Sequence, residues 1–131
     1  MQEKHLFEYA VIRVVPMVER EEFINVGIIL YSKQDKFLQC MYSLNEERLR
    51  SLSDTIDIHE IDQHLQAFER ICKGTNDSGP IGQLDIASRF RWLTATRSTV
   101  VQTSKVHSGF CENLQETLKK LHTQLVLKPV N

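Results

Sequence analysis

The chain has 131 residues, 41% hydrophobic and 25% charged, a balance that suits one globular domain with a core spanning about residues 6–127. Its 16 basic and 17 acidic residues leave a formal net charge of −1. That excludes a strong overall pull toward nucleic acid or an anionic membrane, though not a local basic patch.

The longest apolar run, Ile28-Ile29-Leu30-Tyr31, is far short of the roughly 20 residues of a membrane helix. The opening Met1-Gln2-Glu3-Lys4-His5 lacks a signal peptide's apolar centre. The expectation is a cytoplasmic protein with no membrane partner. Cys40, Cys72 and Cys111 are odd in number and widely spaced, which favours reduced thiols over a disulfide framework or a zinc knuckle.

Residues 6–15 read as a strand, with Tyr9, Val11, Arg13 and Val15 on one face and Ala10, Ile12 and Val14 on the other. Pro16 ends it, and a charged connection holding Glu19, Arg20, Glu21 and Glu22 leads into a second strand over residues 23–32. There a period of two separates Ile24, Val26, Ile28 and Leu30 from Phe23, Asn25, Gly27, Ile29 and Tyr31. Asn25 and Gly27 are the anomaly, since a strand glycine suggests that something approaches the backbone closely. A hairpin pairing Val15 with Phe23 puts Arg13 opposite Asn25 and Val11 opposite Gly27.

Lys33-Gln34-Asp35-Lys36 is a polar turn before a third strand, residues 37–44. Asn45 caps a short helix over residues 46–52, and Asp57 with Glu60 opens a longer one whose Ile58, Ile61, Leu65, Phe68 and Cys72 recur at helical spacing up to Gly74. Residues 74–82 hold three of the five glycines and read as a mobile loop, without a phosphate loop's Gly-Lys-Ser/Thr ending. Residues 85–93 form another short helix with Trp92 placed in the core, and residues 98–103 form a strand with one wet face. Asn113 and Glu116 repeat the capping pattern. Leu114, Leu118, Leu121 and Leu125 stripe a terminal helix that ends before Pro129.

Several groups could carry chemistry. The carboxylates around Arg20 suit a metal, a general base or a basic partner, and equally a solvated hairpin tip. Arg97-Ser98-Thr99 offers a guanidinium and two hydroxyls to an oxyanion. Arg89, Arg91 and Arg97 around Trp92 keep nucleic acid open as a partner. His107 and Cys111 have the residue types of a nucleophilic pair, but Gly109 between them favours a turn.

The segments Tyr9-Ala10-Val11-Ile12-Arg13-Val14-Val15-Pro16, Glu19-Arg20-Glu21-Glu22-Phe23-Ile24-Asn25-Val26-Gly27, Arg97-Ser98-Thr99-Val100-Val101-Gln102 and Val106-His107-Ser108-Gly109 resemble the bacterial domain of unknown function 3037 family. Glu21 stands where many members of that family carry glycine, a departure that bears on the tightness of the turn. The resemblance implies small bacterial cytoplasmic proteins of no established activity, with genes beside those of HipA-like kinases.

These readings combine into a single α+β domain: an antiparallel sheet of about four strands packed on one face by helices, with polar groups on the other. Arg13, Glu19, Glu22, Asn25, Gly27, Arg97, Ser98 and His107 are expected to form a small anion or peptide site in a partner- or ligand-binding module. No metal and no particular cofactor is assigned. Two alternatives stand beside it. One is a metal-dependent hydrolase or nuclease using Glu19 and Glu22, with Arg97 holding phosphate. The other is a structural homodimer formed through the sheet edge.

Overall fold

The alternating apolar residues of the first third of the chain build a meander: β1 (His5–Val14), β2 (Ile24–Ser32) and β3 (Phe37–Tyr42). The computed structural model describes residues 4–127. The β1–β2 connection contains a 3₁₀ turn, Val18–Arg20, and Glu21 ends it in the left-handed region at φ 55°. In the β2–β3 turn Asp35 accepts a hydrogen bond from Ser32 Oγ at 3.1 Å and pairs with His5 at 2.7 Å.

The helices start where the sequence supplies caps. Asn45 accepts from the Arg48 N–H to start α1 (Glu46–Leu52), and Asp57 from the Glu60 N–H to start α2 (Ile58–Lys73). Gly74, at φ 68°, stops α2. Residues expected to form only a loop include one helical turn, α3 (Gly79–Gly82), before α4 (Ile86–Leu93). Two edge strands follow, β4 (Val101–Thr103) and β5 (His107–Cys111), and Asn113 caps α5 (Leu114–His122) by accepting from the Glu116 N–H.

Among the described residues the sheet therefore has five antiparallel strands in the order β3-β2-β1-β4, with β5 also on β1. Strand β4 pairs with Ile12 to Val14 and β5 with His5 to Tyr9. The two lie end to end along one edge. Their registers differ by one residue, and Ser104 Oγ accepts the Val11 N–H at 2.9 Å at the break. Periodicity missed β5 because Gly109 sits at its centre. The Phe7 ring fills the space, and a Cβ there would lie 2.9 Å from Phe7 Cζ.

Helices cover both faces, so the second face is not the polar surface that the strand pattern suggested. On the first, Ala10, Ile12, Val14, Val26, Ile29 and Tyr31 pack with Leu49 of α1, Ile61, Leu65, Phe68 and Cys72 of α2, and Phe90 and Leu93 of α4. The Tyr31 and Phe90 rings stack at 4.9 Å. On the second, Phe7, Val11, Ile28 and Leu30 pack against Leu114, Leu118 and Val126. After His122 the helix widens into a π turn, Thr123–Leu127. That change of phase buries Val126 and leaves the expected stripe residue Leu125 37% exposed. The expected terminator Pro129 lies outside the described residues, as does most of the opening segment.

One irregularity positions the polar residues. Ile12 pairs with Gly27 but Arg13 with Asn25, so Val26 is an extra residue, a β-bulge. The Arg13–Asn25 pair is as the hairpin register predicts. Gly27, however, faces Ile12 and not Val11, because the bulge moves every later residue of β2 by one. It also carries Ile29 and Tyr31 into the same cluster as Ile24 and Val26, breaking the simple alternation.

Candidate functional site

The structure brings some of the eight nominated residues together and separates others. Arg13 and Asn25 are cross-strand partners, and the Arg13 guanidinium lies 3.9 Å over the Phe23 ring. Arg13 Nε is buried with no hydrogen-bond partner among the described residues, and burial lowers the pKa of the group. Glu19 is exposed, while Glu22 forms an ion pair with Arg20 at the hairpin tip. Gly27 is buried under β3, because a Cβ there would lie 2.6 Å from the Met41 carbonyl oxygen and 2.8 Å from Tyr42 Cβ. The close approach that its small size allows is that of the next strand.

Arg97 lies on the other side of the sheet, by α2 and α4. Its guanidinium stacks 3.9 Å from the Trp92 ring and donates to the Trp92 carbonyl. Burial lowers its pKa also. Ser98 is exposed in the loop before β4. His107 is exposed at the start of β5 and sits 5.3 Å from the Tyr9 ring. Tyr9 and Arg13 are four strand residues apart, roughly 13 Å. The eight residues therefore do not form one cluster, and Glu19, Glu22 and Arg97 do not meet. His107 and Cys111 occupy one strand four residues apart, again roughly 13 Å, which rules out their direct contact.

Trp92 is 39% exposed, where the sequence placed it in the core. Arg91 donates to the Glu8 carboxylate at 2.9 and 3.1 Å, and Arg89 to the Leu84 carbonyl at 2.9 Å. These engagements separate the arginine trio. Among the described residues no group of three or more His, Cys, Asp and Glu is placed to hold a metal, and no helix is long and apolar enough to cross a membrane. The three cysteines are free, and a hydrogen bond with the Cys40 thiol, followed by burial, raises the pKa of Cys72.

Two of the concave features adjoin residues nominated from the sequence. One is a cleft of about 780 Å³ at the bulged end of β2, lined by Asn25, Ser43, Asn45, Glu46, Arg48 and Val126 among others. Asn25 enters it because the bulge turns this end of β2 toward the terminal π turn, where its Nδ2 donates to the Leu125 carbonyl at 3.1 Å. Asn25 Oδ1 is buried with no hydrogen-bond partner among the described residues. Arg48 donates to the Val126 carbonyl at 3.3 Å and has no carboxylate partner among the described residues, whereas Glu46 pairs with Arg50 at 2.9 Å.

Ser43 Oγ lies 2.9 Å from Nε2 of His122, a residue only 3% exposed. Nδ1 of that imidazole has no partner among the described residues, and burial lowers its pKa. A proton on Nδ1 would be a buried N–H without an acceptor, so hydrogen-bond accounting favours the tautomer in which Nε2 donates to Ser43. That arrangement does not activate Ser43 as a nucleophile. It leaves the hydroxyl proton free to be offered to the cleft. Neither Ser43 nor His122 stood out in the sequence, since their contact spans 79 positions and matches no motif.

The other feature is a groove of about 340 Å³ between α2, the end of α4 and β4, lined by His64, Phe68, Ile71, Trp92, Arg97 and Val101 among others. Fold and clefts together describe a small α+β domain with an antiparallel sheet at its centre. A family model described as protein of unknown function, DUF3037, matches residues 9–126, and the chain belongs to that family. No curated protein and no solved structure matches the chain.

Proposed function

We propose that the protein is a binding module whose ligand site is the cleft beside Asn25. The observation that carries this reading is that Ser43, Asn25 and Arg48 line one cleft, where the Ser43 hydroxyl and the Arg48 guanidinium can donate. A volume of about 780 Å³ lies within the usual range for small-molecule sites. With Glu46 paired to Arg50, Arg48 supplies the uncompensated charge, which suits a carboxylate or phosphate oxygen. Of the residues nominated from the sequence, Asn25 belongs to this site, and Arg13 stands beside it as its cross-strand neighbour.

Calorimetric titration with succinate and with inorganic phosphate tests the reading. Saturable binding should weaken about tenfold in Arg48→Gln, the loss of one charge-assisted hydrogen bond of roughly 1.5 kcal/mol. Absence of binding to either, or equal binding by that variant, would count against it. The protein partner to examine first is a HipA-like kinase, as the family resemblance implies. A complex that survives both Asn25→Ala and Arg48→Gln unchanged would exclude the cleft as the point of contact.

A further inference from the structure

We propose a second, independent binding site: the free edge of β4, which receives the C-terminal end of an extended partner peptide. The argument begins with the backbone. The Val15 N–H donates to the Val100 carbonyl at 2.7 Å and the Ser104 N–H to the Val11 carbonyl at 2.8 Å. Main-chain groups alternate in direction along an antiparallel strand, so residues 100, 102 and 104 face β1, and those of Val101 and Thr103 point away from it. Among the described residues no strand lies beyond β4 on that side. The Val101 carbonyl already accepts from the Thr99 hydroxyl at 2.7 Å, and the outward N–H groups of Val101 and Thr103 with the Thr103 carbonyl remain to pair with another strand.

The side chains say what kind of strand fits. Val14 pairs with Val101 and Ile12 with Thr103, and the side chains of Val14 and Ile12 belong to the cluster facing α2. Val101 and Thr103 thus share the face on which the groove opens, between β4 and the α2 residues His64, Ala67, Phe68 and Ile71. A peptide residue paired with Val101 would direct its side chain to the same face, so an apolar anchor is expected there. A volume of about 340 Å³ accommodates one or two such side chains.

Charge sets the direction. Arg97, before β4, donates to the Trp92 carbonyl and has no carboxylate partner among the described residues. The exposed Ser98 hydroxyl stands next to it. A peptide running antiparallel to β4 brings its C-terminal end to the start of β4, the end nearest Arg97 in the chain. The free carboxylate then meets the guanidinium, the anchor meets the apolar groove, and the peptide backbone meets Thr103 and Val101.

The single tryptophan, Trp92, lines the groove and reports its occupancy. The probe is a hexapeptide of alternating serine and valine ending in a free carboxylate, titrated against the full chain by Trp92 emission and by polarisation of a fluorescein label. Three controls accompany it: the C-terminal amide, the same peptide N-methylated on alternate residues, and the variant Thr103→Pro. Proline at that position removes only an outward N–H and leaves the β1–β4 bonds in place. The expected result is saturable binding, about tenfold weaker for the amide and for Arg97→Gln, and lost with the N-methylated peptide and with Thr103→Pro. The N-methylated arm uses the unaltered protein, so it decides even where a variant folds poorly. Equal binding of acid, amide and N-methylated peptides would overturn the proposal, as would an unresponsive Trp92. It would also be overturned by a concentration-dependent dimer that Thr103→Pro dissociates, because a second copy would then fill the edge.

Discussion

Replacing Gly27 by alanine separates two explanations of this glycine. One holds that Gly27 makes room for a ligand, the other that it makes room for β3. The hydrogen bond from the Ser43 N–H to the Val26 carbonyl, at 2.8 Å, makes the neighbouring Gly27–Tyr42 pair the close, non-hydrogen-bonded kind. An added methyl would meet the Met41 carbonyl oxygen at 2.6 Å and Tyr42 Cβ at 2.8 Å. Met41 is held in the ladder opposite Ile28, so the methyl can be accommodated only by moving one strand from the other. Overpacking of this kind costs about 3 kcal/mol at the upper end of its usual range. The gain from replacing a strand glycine by alanine, about 1 kcal/mol, offsets part of it. The net loss is about 2 kcal/mol, roughly a 7 °C fall in Tm for a domain of this size. Urea unfolding followed by circular dichroism gives the first quantity and a thermal scan the second. A Gly27→Ala protein as stable as the parent would refute the reasoning and return the space at Gly27 to a ligand.

Three further outcomes follow from single observations. Glu21→Gly should stabilise the fold by about 0.5–1 kcal/mol in the same urea assay, because glycine relieves a left-handed residue while adding entropy to the unfolded chain. Val126→Ala should cost about 2 kcal/mol and Leu125→Ala under about 0.5 kcal/mol; the reverse order would mean that the terminal helix continues in α phase. His122 has a pKa below its ordinary value, so the unfolded chain takes up a proton at higher pH than the folded one. Stability is then fully present above about pH 6.5 and falls as pH drops from there through the folded pKa. Its Tm should decline more steeply between pH 7.5 and 5.5 than that of His122→Gln, and parallel profiles would contradict the burial effect.

The fold was legible wherever the signal is local. Asn45, Asp57 and Asn113 each predicted a helix start, and each accepts the N–H three residues on, because capping requires only neighbours in sequence. Periodicity found the meander for the same reason. It failed where a distant contact sets the conformation. Gly109 reads as a turn until the Phe7 ring is placed against it, and Trp92 reads as core until Arg97 stacks on its face. Leu125 continues the heptad-like stripe on paper, whereas the π turn that displaces it is visible only when Val126 is seen against β2 and α5.

The candidate site was legible to a smaller degree, and Val26 explains how much. The hairpin register correctly opposed Arg13 and Asn25 because both lie on the loop side of the bulge, where counting from the turn still holds. Beyond Val26 the count is off by one. Gly27 therefore faces Ile12 instead of Val11, and only the Arg13–Asn25 pair of the expected register survives. The same bulge shapes the cleft. Asn25 is brought to the terminal π turn, and the Val26 carbonyl, by accepting the Ser43 N–H, extends the ladder one residue past β3. That bond fixes the backbone of Ser43 at the cleft, where Nε2 of His122 lies 2.9 Å from its hydroxyl. Deleting Val26 should thus restore a regular ladder and displace Asn25 and Ser43 from the cleft together. A deletion variant that keeps the fold, loses anion binding and retains peptide binding at β4 would show that the bulge builds one site and leaves the other untouched.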